Sequence, residues 1–371
     1  MSHPPQDFLP AHGGQLRQIA AQYEIPVEQL VDFSANINPA DPPASVLATL
    51  NRALADFATL TAYPDLELAA LKQALSKASN ISPENISVAN GFVPLLEAAL
   101  RSLGITRCLL PVPSFSEYRR TLENAGVAAA PHYLFQENSF SYAPDSLLQA
   151  ALKERCNAIL LANPQNPSGS LCEAKTMRRL IEAAAEQGIK VLLDEAFIDY
   201  VPEQSLTEAA SQHENLIVFR SVTKFFAIPG LRVAYVVSSP SSIEDLNRRL
   251  PPWPVTTLAS CAVCAALQDE TYAEDTRRKN SPRRTWLEGE LARLKIVTYP
   301  SNTNFLLLRF SAEVEVSLLW ERMLLEHQIV LRSCANFEGL APGHLRIAVR
   351  SETENERLIR GLEQVLRRAK G

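Results

Sequence analysis

Long apolar runs are missing from this sequence. Nowhere does it hold the ~18 consecutive apolar residues that a membrane span needs. Cysteine is scarce as well: six residues in 371 (Cys108, Cys156, Cys172, Cys261, Cys264 and Cys334) are too few for a disulfide framework. Cys261 and Cys264 form a C-x-x-C, yet they sit in the apolar stretch from Leu258 to Leu267 with no second Cys/His pair nearby. That favours a buried helical pair over a zinc or redox site. Polybasic blocks are lacking too. The 36 basic residues are spread along the chain against 41 acidic ones, for a net charge of -5. Neither nucleic acid nor an anionic membrane is an expected partner, although a pocket's local charge can still suit an anionic small molecule. The opening residues, MSHPPQDFLP, show no basic stretch followed by an apolar one. No secretory leader is therefore expected, and the reading is a reduced, cytoplasmic protein.

What is present is the texture of an ordinary globular chain, 46% apolar and 21% charged. Its length exceeds what one core usually serves, so one large and one smaller domain are expected. Short β-type runs alternate with helical spacing between about residues 80 and 240. Ile86–Ala89, 106–111, Ala158–Ala162, 190–193, 216–219 and 233–237 read as strands, with helices over 93–103 and 173–187. In the latter, Met177, Leu180, Ile181 and Ala184 share a face. The expected fold is α/β, a mostly parallel sheet with helices on both faces, plus a smaller α+β domain. Pro251, Pro252 and Pro254 break the chain before a long helical region running to Arg293. The division expected is an amino-terminal arm (1–50) joining the small domain, a large domain (51–250), and an interdomain helix with the small domain (251–371).

In parallel sheets ligands gather at the carboxyl ends of the strands. Asp194, after Val191-Leu192-Leu193, is costly there unless a cation faces it, and a protonated pyridine nitrogen is such a cation. A cap on the next segment explains Asp194 equally well in isolation. Lys224, flanked by Phe225 and Phe226, is placed to be desolvated and to act as an amine nucleophile. Ser221, Thr223 and Arg232 offer two hydroxyls and a guanidinium fork, which suits a phosphate dianion. The segment from Asn163 to Gly169, with two Asn-Pro steps, holds Asn166 on a constrained loop. Asn90-Gly91 sets backbone N–H groups at a helix amino terminus, a site for phosphate.

In order, N-P-x-N-P-S-G, D-E-A and S-x-T-K-x-x-x-x-P-G-L-R resemble the fold-type I pyridoxal-5′-phosphate (PLP) enzymes, in the branch that holds the histidinol-phosphate aminotransferases. The resemblance implies that Lys224 holds the cofactor aldehyde and Asp194 pairs with the ring nitrogen. It places Asn166 on the phenolic oxygen, Phe115 on the ring face, and Ser221, Thr223, Arg232, Gly91 and Phe92 around the phosphate. Tyr63 would reach that phosphate from a second subunit, implying a homodimer. Two departures stand out: Phe92-Val93-Pro94 replaces small or hydroxyl residues after Gly91, and Phe197 stands where tyrosine is usual.

Three more segments resemble the L-threonine O-3-phosphate decarboxylases: His12-Gly13-Gly14, Asp32 to Pro39, and Arg332 to Phe337. That resemblance implies a phosphorylated amino-acid substrate, with Arg346 and Asn36 on its carboxylate and Arg332 and His12 on its phosphate. Surface ion pairs are the plainer account of the two arginines, and a loop role that of His12. Arg350, on the same strand face as Arg346, reads as structural. Decarboxylation and transamination differ in which Cα bond stands perpendicular to the ring, which no sequence displays. The resemblance makes decarboxylation the expected reaction, with histidinol-phosphate transamination as the alternative. A PLP-binding regulator is disfavoured, because no ~60 residues remain for a helix-turn-helix.

Overall fold

The fold is described from a computed structural model, over residues 10 and 12–368. Its strands are β1 (Val31–Asp32), β2 (Ile86–Ala89), β3 (Arg107–Val112), β4 (Ala128–Tyr133), β5 (Ala158–Ala162), β6 (Lys190–Asp194), β7 (Leu216–Ser221), β8 (Ala234–Val237), β9 (Val297–Thr298), β10 (Phe305–Arg309), β11 (Ile329–Val330), β12 (Arg332–Ser333) and β13 (His344–Ala348). Seven build the main sheet in the order β2-β8-β7-β6-β5-β3-β4. All run parallel except β8, which is antiparallel to both neighbours. β5 and β6 are almost continuous apolar runs because both of their faces are covered. One face packs Leu161, Leu193 and Val218 against Met177, Leu180 and Ile181 of the helix Ala174–Glu186, as the spacing predicts. The other sets Leu160, Leu192 and Phe219 against Leu95 and Leu96 of the helix Phe92–Ser102.

A second, antiparallel sheet runs β12-β13-β10-β9. Its core gathers Leu306, Leu308 and Ile347 with Trp320 and Leu358 of the covering helices. Ile19, Leu30 and Phe33 from the start of the chain enter this same core, and β1 pairs in parallel with β11.

Two of the differences from the sequence reading concern the large sheet and the long helical region. Strand β4 was not expected: it is an edge strand with Ala130 alone of its residues buried, and it carries Pro131, so it lacks the apolar signature of its buried neighbours. The helical region ending at Arg293 is two helices, Thr257–Leu267 and Glu270–Arg293. Asp269 restarts the second by accepting the Tyr272 amide at 2.9 Å. The carboxyl ends of β2, β3, β5, β6 and β7 lead directly into Asn90-Gly91, Phe115, the Asn163–Gly169 loop, Asp194 and Lys224.

Candidate active site

Asp194 closes β6, and its carboxylate is buried. Oδ2 accepts the Tyr118 hydroxyl at 2.6 Å and Oδ1 accepts the Ala196 amide at 2.9 Å. Burial pushes its pKa up, while Tyr118 and the charge of Lys224 oppose the rise. The neighbouring Glu195 turns away: it takes Ser205 Oγ and the Leu206 amide, each at 2.6 Å, and faces Arg220 at 3.7 Å. One acid of the pair therefore anchors the following loop and the other is left for the site. Lys224 lies three residues past β7, its Nζ 3.2 Å from Ser221 Oγ and 5.6 Å from the centre of the Phe197 ring. Desolvation lowers its pKa; Asp194 opposes this, and Arg232 and Arg346 add to it. A half-buried amine with a depressed pKa is primed as a nucleophile and proton carrier.

Around it lies an anion cradle. Ser221 Oγ and Thr223 Oγ1 are 2.9 Å apart. Gly91 has φ +89 at the amino terminus of the helix Phe92–Ser102, and a Cβ there would lie 3.1 Å from Arg232 Nη2. The bare backbone lets that guanidinium close on the helix end. Phe92 does not face this cradle with its side chain: its ring packs on Phe219 at 5.1 Å and Tyr118 at 5.6 Å, leaving only its backbone to the cradle.

Asn166 sits on a loop fixed from within. Asn163 Nδ2 donates to the Cys172 carbonyl and its Oδ1 accepts the Cys172 amide, while Gln165 Nε2 donates to the Pro113 carbonyl. Gly169, at φ +82, lies so close to Ser301 that any Cβ would collide with that side chain. Asn166 Oδ1 accepts from Arg346 Nη1 at 2.6 Å, and Arg346 Nη2 donates to the Ser34 carbonyl at 3.2 Å. Arg346 is buried, and burial and then Arg332 push its pKa down. Arg332, also buried, donates to the carbonyls of Pro10 and Ser333 and to Asn336 Oδ1. Asn36 is buried with its Oδ1 unpartnered among the described residues. Arg350 is structural, donating to the Asp32 carbonyl and to Glu354.

Phe115 precedes the helix Ser116–Asn124 and meets Tyr118 edge-on at 5.6 Å. His12 is half-exposed and pairs with Glu117 at 3.3 Å, two residues from the Pro10 carbonyl that Arg332 holds. Tyr63 is exposed and stacks on Trp253 at 4.5 Å, outside this cluster. Sequence reasoning missed Tyr118, whose place one helical turn after Phe115 was its only signal. It also gave no role to Asn38, whose amide donates to the Lys224 carbonyl and whose Nδ2 donates to that of Phe225.

The donor set fits PLP. A buried carboxylate, a bare helix end closed by a guanidinium, a reactive amine and an unpartnered amide oxygen match the ring nitrogen, phosphate, aldehyde and bound substrate of such a site. The chain matches the aminotransferase class I and II model over residues 28–362. It is 36% identical to the threonine-phosphate decarboxylase of Salmonella typhimurium over 97% of both chains. It is 28% identical to the adenosylcobalamin biosynthesis bifunctional protein CobDQ of Leptospira interrogans, over 95% of this chain and 40% of that one. The crystal structure of histidinol-phosphate aminotransferase from Clostridium acetobutylicum superposes with a TM-score of 0.83 at 26% identity, over 91% of this chain and 99% of that one. This chain belongs to the aminotransferase class I and II family and has the fold-type I architecture of its PLP-dependent members.

Proposed function

We propose that this protein decarboxylates L-threonine O-3-phosphate with PLP, giving (R)-1-amino-2-propanol O-2-phosphate and CO2 in cobalamin biosynthesis. The carrying observation is that the buried Arg346, close to Lys224, gives its N–H groups to the neutral Asn166 amide and Ser34 carbonyl, and that the buried Arg332 stands beside it as its cross-strand partner. Two buried guanidinium groups side by side suit a substrate with two anionic ends. The 36% identity to a threonine-phosphate decarboxylase over nearly the full length supports the same substrate.

When bound, PLP supplies an aldehyde that takes up an amine and a ring that draws electrons from the substrate's Cα. Lys224 would hold that aldehyde, give way to the substrate amine and return a proton to Cα. Asp194 would keep the ring nitrogen protonated, and Asn166 would donate to the phenolic oxygen while Phe115 covers the ring. The Ser221 and Thr223 hydroxyls, Arg232 and the amides at Gly91 and Phe92 would hold the cofactor phosphate. Arg346, with Asn36, would bind the substrate carboxylate and fix the orientation of its bond to Cα. Arg332, with His12, would bind the substrate phosphate; for this His12 must leave Glu117.

We further propose a homodimer in which Tyr63 reaches the neighbouring phosphate. Tyr63 is 79% exposed amid Leu54, Phe57, Leu60 and Leu66, all exposed, and so broad an apolar patch accords with a subunit interface. The β1–β11 pairing supports the first 50 residues joining a small domain over 251–371, beside a large domain over 51–250. Six free cysteines accord with a cytoplasmic location, and among the described residues no helix is long and apolar enough to cross a membrane.

Incubation of the purified protein with PLP and L-threonine O-3-phosphate tests the reading. One CO2 per amine product, with no 2-oxoglutarate added, is the expected result. An obligatory amino acceptor without CO2 would instead assign an aminotransferase.

A further inference from the structure

The turn that follows β7 holds Lys224 outside any helix or strand. It ends at Ala227, which stands at φ +55. A turn of this kind leaves buried carbonyls to be met from elsewhere in the fold. Within it, the Ile228 amide reaches the Thr223 carbonyl at 3.0 Å, and the Ala227 amide reaches the Lys224 carbonyl at a long 3.4 Å. One residue from far along the chain meets this carbonyl and the next at shorter range. The Asn38 amide donates to the Lys224 carbonyl at 3.0 Å, and Asn38 Nδ2 donates to the Phe225 carbonyl at 2.9 Å.

Asn38 is itself locked in place. It is 7% exposed, and its Oδ1 accepts the Ala40 amide at 3.1 Å. The hydroxyls of Tyr272 and Thr276, on the helix Glu270–Arg293, each lie 3.0 Å from Nδ2. Nδ2 has two hydrogens for three acceptors, so the hydroxyls share one while the Phe225 carbonyl keeps the other. The same segment reaches the far side of the site. The Phe33 carbonyl accepts the Ala348 amide at 2.9 Å, the Ser34 carbonyl accepts Arg346 Nη2, and Asn36 lies buried along it. Segment 33–38 is thus pinned to β13 at one end and to the Lys224 turn at the other. An amine that must meet an aldehyde at bond-forming distance depends steeply on such placement.

We propose that Asn38 is a positioning residue for Lys224: it clamps the carbonyls of Lys224 and Phe225 and so sets the reach of the amine toward the cofactor aldehyde. The proposal rests on the reading of Lys224 as the residue that holds PLP. Nothing in that reading assigns Asn38 a part.

The test compares Asn38→Ala, Asn38→Asp and Thr276→Val in the full-length protein. Asn38→Asp keeps the shape and still accepts from Ala40 and both hydroxyls, but it turns an oxygen toward the Phe225 carbonyl. Thr276→Val removes one hydroxyl of the cluster and leaves both carbonyls clamped. PLP is added to each protein freed of cofactor, samples are reduced with borohydride at intervals, and the pyridoxyl adduct on Lys224 is followed by mass spectrometry. Thermal melts report the fold separately. Adduct formation is expected to slow about 2- to 10-fold in Asn38→Ala and about 10-fold or more in Asn38→Asp. Thr276→Val should keep the wild-type rate, and kcat should follow the adduct rate across the series. Wild-type rates in both Asn38 variants, or equal slowing in all three proteins, would overturn the proposal. A wild type that forms no adduct on Lys224 would overturn the PLP reading on which it rests. A wild type that forms the adduct and releases no CO2 would overturn the decarboxylase reading alone, because the adduct reads the amine.

Discussion

Arg346 Nη1 donates to Asn166 Oδ1 at 2.6 Å, joining the arginine of the small sheet to the loop that leaves β5 of the large one. The residue proposed for the substrate carboxylate and the residue proposed for the ring oxygen therefore move together. Asn166→Ala should raise KM and lower kcat, with kcat/KM falling about 10- to 150-fold, since a charged donor in a buried site loses its partner. Asn166→Asp should raise KM further, because a carboxylate on Arg346 competes with that of the substrate. Steady-state kinetics of the two variants checks the order.

Tyr118 gives Asp194 Oδ2 its hydrogen bond inside the core. Removing the hydroxyl with Tyr118→Phe should cost about 1–3 kcal/mol of support for the Asp194 charge. The expected outcome is a roughly tenfold loss of kcat, smaller than the loss in Asp194→Asn, together with weaker PLP retention on dialysis.

Arg332 is proposed to read the phosphate. Arg332→Ala should raise KM for L-threonine O-3-phosphate about 30-fold or more and KM for L-threonine far less, as loss of a buried charge pair costs about 2–5 kcal/mol. Equal changes for both substrates would remove Arg332 from that role.

His344 is buried at the start of β13, with Nδ1 2.8 Å from the Ala341 carbonyl and Nε2 3.0 Å from the Tyr299 hydroxyl. Burial lowers its pKa below the ordinary histidine value. For a base so depressed, the unfolded chain binds more protons between the folded pKa and about 6.5. Stability should then fall as pH drops through that window and be unaffected by this group above it. Thermal melts should show a flatter acid limb for His344→Gln than for the wild type.

The sheet, and the strand ends where the candidate site gathers, were legible because each rests on local signals. Val191, Leu192 and Leu193 announce a strand buried on both faces, and the residue following such a strand lies at the ligand edge. The D-E-A and S-x-T-K motifs likewise carry their chemistry in adjacent residues. Contacts made across the fold were not legible. Tyr118 meets Asp194 across 76 positions and Arg346 meets Asn166 across 180, and no spacing rule reaches that far. Strand β4 escaped notice because an edge strand need not be apolar. Tyr63 is exposed and stacked on Trp253 in the single chain, so a role at a phosphate needs a second copy.

The account turns on Lys224 as the amine that holds PLP. The decisive measurement is mass spectrometry of the digested protein after saturation with PLP and reduction with borohydride. A single pyridoxyl adduct on the peptide carrying Lys224, absent from Lys224→Ala, is predicted. An unmodified Lys224, or an adduct fixed on another lysine, would contradict it.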